Sequence, residues 1–128
     1  MKQFATYKDL DVWIEARKLV GEIYTLTAKF PREEVFGLTN QMRRAAVSVL
    51  SNIAEGCGRG TSRGTVAFLF VARGSLYEVE TQCVIAFDLK YIDSRNLESI
   101  SERITSCKRL LNGLIRHHEL KVDQTSNR

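Results

Sequence analysis

At 128 residues and a net charge of +4, the chain has the size of one domain, able to bury about two thirds of its unfolded surface without a metal or disulfide staple. Hydrophobic residues at 44%, charged residues at 27% and a single proline exclude disordered and fibrous classes. No window approaches the roughly 20 apolar residues that cross a bilayer, and residues 1–13 lack the apolar core of a signal peptide. A cytoplasmic protein without a membrane partner is therefore expected. Cys57, Cys83 and Cys107 are odd in number, and the last two fall on apolar stripes, so they read as small buried hydrophobes in a reducing compartment.

The first element is a helix over residues 8–30, with the stripe Val12, Ala16, Leu19, Ile23, Leu26, Phe30 at helical spacing and Pro31 closing it. Asp9 suits its positive end. After a short charged connector, a second helix is predicted over residues 38–55, capped by Thr39 or a neighbour. The run Gly56-Cys57-Gly58-Arg59-Gly60, where glycine admits positive φ, should stop it. The third helix starts after Thr61 or Ser62 and reaches about Tyr91, on the stripe Leu69, Ala72, Leu76, Val79, Cys83, Ala86. The fourth begins near Ser94 with the stripe Leu97, Ile100, Ile104, Cys107, Leu111, Leu114, and its charges pass from acidic to basic in the order a helix dipole favours. A bundle domain over residues 1–118 and a polar, disordered tail over residues 119–128 complete the division.

Short connectors force neighbouring helices to run antiparallel, which gives an all-α, up-down-up-down four-helix bundle. Helix three carries a second apolar row, Phe70, Tyr77, Val84 and Tyr91, seven residues apart on a different face from its core stripe. A bundle helix normally wets its outer face, so this row points to a second copy of the chain; scattered surface hydrophobes are the plainer reading.

The most distinctive polar feature is a strip on helix two: Gln41, Arg44, Ser48, Asn52, Glu55 and Arg59. Helix three offers Ser75, Glu78 and Gln82 opposite. Two placements are open: a partly buried seam in which Arg44 and Arg59 pair with Glu55 or Glu78, or a solvent-facing side. Arg43, Arg44, Arg59 and Arg63, with Arg73, form a candidate cationic rim near the joint between helices two and three, and a planar guanidinium suits phosphate. Ion pairs with nearby glutamates compete with that use.

The glycine-rich joint lacks the GK[ST] ending of a P-loop and follows no strand. No Glu has His three residues later, which excludes the di-iron bundle motif, and His117 and His118 read as terminal packing, not ligands. No metal or cofactor is expected. Cys57 has no His beside it in sequence, and nothing else assigns a catalytic residue.

Several motifs combine: Leu10-x-Val12-Trp13-x-x-Ala16, Phe30-Pro31, Phe36-Gly37-Leu38-x-x-Gln41-x-Arg43-Arg44-Ala45-Ala46-x-Ser48, Asn52-Ile53-Ala54-Glu55-Gly56, Gly74-Ser75 with Glu78, and Ala86-x-x-Leu89-x-Tyr91. In these residues the chain resembles the bacterial four-helix-bundle family named for proteins encoded in 23S rRNA intervening sequences. The resemblance implies an up-and-down bundle assembled into a homo-oligomeric ring, a pentamer, without enzymatic activity. It also extends to accessory proteins of diversity-generating retroelements, basic pentamers that bind nucleic acid and a partner reverse transcriptase. The chain departs from the pattern at Lys90, where the family usually has glycine before the tyrosine. Net charge, arginines and resemblance together suggest a non-enzymatic homo-oligomer that binds RNA or DNA; a protein-interaction scaffold is the alternative.

Overall fold

A computed structural model describes residues 6–126 as four α-helices, α1 (Asp11–Thr27), α2 (Leu38–Cys57), α3 (Ser62–Asp88) and α4 (Ser94–Ser126). Short 3₁₀ turns occupy Tyr7–Asp9 and Arg32–Glu34, and the described residues contain no strand. Residues 1–5, expected in the bundle domain, and residues 127–128, expected in the tail, lie outside the described residues. Each helix packs on its sequence neighbours, and α4 closes the square onto α1. The predicted stripes meet inside it: Leu19, Ile23, Met42, Ile53, Leu69, Leu76, Ile104 and Leu111 are all buried.

α1 is shorter than its stripe. The backbone at Leu10 is extended, which sets Tyr7–Asp9 apart as a separate turn. At the other end the helix stops at Thr27, because the residue before a proline is pushed out of the helical region and Phe30 instead stacks on Tyr91 with ring centroids 5.1 Å apart.

α2 starts without the expected Thr39 cap, since Thr39 is itself buried. The Glu34 carboxylate takes that role from the preceding turn, accepting the Leu38 N–H at 3.1 Å and the Tyr91 hydroxyl at 2.8 Å. The Leu38 bond, then the Tyr91 bond, hold the Glu34 carboxyl below its ordinary range, and the same contact pushes the Tyr91 phenol up. Gly37 makes room for this arrangement, because a Cβ there would lie 2.7 Å from Glu34 Oε1.

α3 ends earlier than predicted, at Asp88, and Lys90 shows why. It sits at φ 66°, in the left-handed region, while its N–H bonds to Phe87 O at 2.9 Å and the Tyr91 N–H reaches Ala86 O at 2.9 Å. This pair of bonds is a Schellman cap, whose left-handed position ordinarily takes glycine. A Lys90→Gly chain is expected to gain about 1 kcal/mol by removing the Cβ strain of that conformation. Urea unfolding at one fixed protein concentration checks it, and an unchanged midpoint would refute the strain.

α4 opens on a reciprocal cap: Asp93 Oδ1 accepts the Asn96 N–H at 2.7 Å, and Asn96 Oδ1 accepts the Asp93 N–H at 3.2 Å. It then continues to Ser126, so the segment expected to be a disordered tail from Glu119 is helical as far as it is described. Ile115 is buried, His118 and Val122 are half-buried, and this spacing prolongs the apolar stripe by another two turns.

Candidate nucleic-acid interface

α2 and α3 approach closely at Gly56. A Cβ added there would stand 3.1 Å from Phe68 Cβ and 3.2 Å from the Thr65 carbonyl oxygen, while the buried Thr65 hydroxyl donates to Gly56 O at 2.7 Å. Gly56 serves clearance, and none of the joint's glycines supplies left-handed geometry: no described glycine has positive φ, and Gly58 caps α2 at φ −83°. Thr61 then caps α3 by accepting the Gly64 N–H at 3.1 Å, as its sequence position suggests.

Along the same helix pair, Ser48 and Ser75 share a hydrogen bond at 2.9 Å, and the Asn52 amide donates to Ser48 O at 2.8 Å and Ser48 Oγ at 3.0 Å. These three residues do face each other. Gln82 lies buried one stretch further along, with its amide nitrogen 3.5 Å from Glu78 Oε2 and its carbonyl oxygen without a donor. The charged members of the strip behave differently. Arg44, Glu55, Arg59 and Glu78 are exposed, as is the neutral Gln41, and among the described residues none of the ion pairs expected of Arg44, Arg59, Glu55 and Glu78 forms. Neutral hydroxyl and amide groups therefore line the inner edge of the strip, while its charges stay in water, where their hydration costs nothing to keep.

The structure divides the candidate arginines. Arg43 is committed to α1: its Nε donates to Thr27 Oγ1 at 2.9 Å and its guanidinium lies 4.5 Å from the Tyr24 ring centroid. Arg44 is exposed near the start of α2, about 22 Å along the helix from Arg59. One rim cannot hold both ends of α2. Arg73, tied to Asn112 at 3.1 Å and stacked over Phe70 at 4.8 Å, faces α4.

Arg59 and Arg63 do flank the joint. The Arg59 guanidinium rests 4.3 Å from the Phe68 ring centroid, which fixes its direction without neutralising it. A cleft of about 490 Å³ beside it is lined by Tyr7, Cys57, Arg59, Ser62, His117 and His118 among others. Arg63 lines the adjoining cleft with Arg116, Glu119 and Asp123. His118 Nδ1 shares a hydrogen bond with Ser62 Oγ at 3.2 Å, and burial, helped by the charges of His117 and Lys121, lowers its pKa. α4 thus brings Arg116, His117 and His118 to the joint. The signal was present in the spacing from Leu111 through Ile115 and His118 to Val122.

Other charges lock the bundle instead. Arg103 on α4 bridges Glu15, at 2.6 Å, and Glu22 on α1, and Lys108 reaches Glu80 at 2.7 Å. The cysteines are unbridged, and burial pushes Cys83 and Cys107 up to about 12 and raises Cys57. All three are poor thiolates at neutral pH. Among the described residues no three His, Cys, Asp or Glu side chains converge in a manner that suits a metal ion, and no helix is long and apolar enough to cross a membrane.

The sequence profile of the 23S rRNA-intervening sequence proteins matches residues 8–113. This chain belongs to that family. A crystal structure of a protein of unknown function from the S23 ribosomal protein family of Bacteroides thetaiotaomicron superposes with a TM-score of 0.75 at 22% identity, covering 81% of this chain and 97% of the other. At that identity the likeness concerns the helical fold. No functionally curated protein matches the chain. Family membership also gives the positions of the motifs a physical sense: Gly37 clears the Glu34 cap, Gly56 lets α3 approach, and Ser48, Asn52 and Ser75 form one hydrogen-bonded set.

Proposed function

We propose that this 23S rRNA-intervening sequence protein is a non-enzymatic, homo-oligomeric module that binds RNA or DNA through the basic end of its bundle. The observation that carries the reading is the convergence of Arg59, Arg63, Arg116, His117 and His118 around the first turn of α3, with no ion pair to Arg59 or Arg63 among the described residues. Several copies held together multiply such weak phosphate contacts by raising effective concentration. The exposed apolar row on α3 supports the self-association half of the reading, and the resemblance adds a five-membered ring as one closed form.

Gel shifts against a generic RNA and a duplex DNA, run across a salt series, test the binding half. With four phosphate contacts, a fourfold rise in salt is expected to weaken duplex binding by roughly 100-fold, because log affinity falls about 0.9 per contact with log salt. Absence of a shift at low salt with either nucleic acid refutes it. No base-reading motif is present, so affinity should depend little on sequence.

A protein-interaction scaffold is the second reading, favoured by Phe36, which is 93% exposed on the loop ahead of α2 beside the exposed Val35. A protein partner retained after nuclease treatment, and lost in a Phe36→Ser chain, would favour it over nucleic-acid binding.

A further inference from the structure

We propose that the cleft beside Arg59 holds one unpaired nucleotide, with its base stacked on Tyr7 and its phosphate on Arg59, so that the chain prefers single strands to duplex. This rests on the reading that the basic end of the bundle binds RNA or DNA, and adds the form of nucleic acid it takes. The cleft lies where α1 and α3 begin, α2 stops and α4 passes, and its floor is the last layer of the core: Leu10, Cys57 and Leu114, each half-buried. Aromatic rings reach it from two elements. Tyr7 comes from the turn ahead of α1, and a T-shaped contact with Trp13, centroids 5.7 Å apart, sets the plane of its ring. From α4 the exposed His117 stands T-shaped to His118 at 5.1 Å, and His118 is tied to Ser62.

The chemistry of this set fits a nucleotide. Every base offers a flat π-face to an aromatic ring, and a guanidinium offers phosphate two parallel donors. Arg59 suits the second task, because stacking on Phe68 directs it and no carboxylate neutralises it among the described residues. At about 490 Å³ the cleft falls within the range of about 300–1,000 Å³ that takes a small ligand, so one nucleotide fits. A base still paired and stacked inside a duplex cannot reach the floor. Arg63 and Arg116 line the adjoining cleft, within reach of the neighbouring phosphates of the same strand. Stacking is indifferent to base identity, so the preference is for unpaired structure and not for sequence. Phosphate attraction alone predicts the opposite order, because a duplex carries more charge along its length and its affinity falls by about 0.9 per contact with log salt, against about 0.7 for a single strand.

Fluorescence anisotropy at one salt concentration tests this with three probes: a short unstructured DNA strand, the same strand annealed blunt to its complement, and that duplex carrying one unpaired nucleotide at an end. The single strand and the overhanging duplex are expected to bind about tenfold more tightly than the blunt duplex, the contribution of one stacked base. Tyr7→Ala should abolish that difference by weakening only the first two probes, whereas Tyr7→Phe, which keeps the ring, should preserve it. Tyr7 lies outside the buried core, so both variants keep their helical circular dichroism. A blunt duplex that binds as tightly as the single strand overturns the nucleotide cleft and leaves phosphate binding at the basic end standing. So does a preference that survives Tyr7→Ala or is lost in Tyr7→Phe. Absence of salt-sensitive binding to all three probes overturns both.

Discussion

A Gly56→Val chain is expected to unfold about 2–3 kcal/mol more easily than the wild type, with a fall in the thermal midpoint of roughly 10 °C at fixed protein concentration. The basis is steric. Even one methyl group at this position lies at 3.1–3.2 Å from Phe68 Cβ and the Thr65 carbonyl oxygen, and the latter is backbone that cannot rotate away. Valine adds two more carbons and must push α3 off α2, which strains the 2.7 Å bond between the Thr65 hydroxyl and Gly56 O. Gly56→Ala is the informative control. Alanine gains up to about 1 kcal/mol of helix propensity over glycine, so its clash and its propensity nearly offset and it should fall within about 1 kcal/mol of the wild type. Chemical denaturation of both variants decides the matter: equal midpoints for valine and alanine would mean that α2 and α3 are not in close contact here. Because the same contact sets Arg59 and Arg63 on either side of the joint, the valine chain should also lose salt-sensitive nucleic-acid binding at temperatures where it remains helical.

How much of this was legible depends on the distance over which each feature is encoded. The four stripes are local patterns of apolar residues at helical spacing, and each helix appears where its stripe lies, because burial of that stripe dominates the energetics of a helix in a small domain. The outer face of α3 was legible for the same reason as far as Phe70, Tyr77 and Val84, but Tyr91, the expected fourth member of that row, lies past the end of α3 and turns inward onto Phe30 and Glu34. The starts of α2, α3 and α4 were legible as well, at Leu38, after Thr61 and at Ser94, although the cap of α2 turned out to be the Glu34 carboxylate and not Thr39. The ends of α1 and α3 were not, since they rest on single contacts: α3 stops at a left-handed Lys90 that no propensity would place there. The failure at α4 has a different cause. Polar composition after Glu119 suggested disorder, yet His118 and Val122 keep the period, and in a bundle a narrow half-buried stripe is sufficient to continue a helix already nucleated. The site suffered most from treating proximity in sequence as proximity in space. Arg43 and Arg44 are adjacent, but one turns onto Tyr24 and the other into solvent, and neither shares an end of the bundle with Arg63. Arg116, His117 and His118 lay inside the predicted fourth helix, but nothing local to that helix says that its end meets the first turn of α3. The clamp of Arg103 on Glu15 and Glu22 joins positions far apart in the chain, and nothing in the local pattern of either helix marks the pairing.

If the basic end of the bundle holds phosphate, Arg59→Ala, Arg63→Ala and Arg116→Ala combined should lower the slope of log affinity against log salt by about 3 on duplex DNA, while Arg44→Ala alone lowers it by at most about 1. The contrast matters because Arg44 is equally exposed but about 22 Å away along α2. A slope that falls equally for any arginine removed would show diffuse attraction to the whole surface and not a site. Proton concentration provides the second arm. His117 and His118 stand beside the same arginine cluster, and His118 is held below its ordinary pKa first by burial and then by His117 and Lys121. Its neutral form is thus favoured in the folded chain, so the stability it contributes is present above its unfolded value of about 6.5 and is lost as pH falls through the folded one. A bound phosphate reverses the preference, because its negative charge favours the imidazolium. Affinity for nucleic acid is therefore expected to rise as pH falls from 7.5 to 5.5, even as the free protein becomes less stable over the lower part of that range. His118→Gln, which keeps a polar group near Ser62 without titrating, should flatten the pH dependence of binding and leave the salt slope at pH 7.5 unchanged. Binding that strengthens with acid to the same degree in His118→Gln and in His117→Gln as in the wild type would place the nucleic acid elsewhere on the surface.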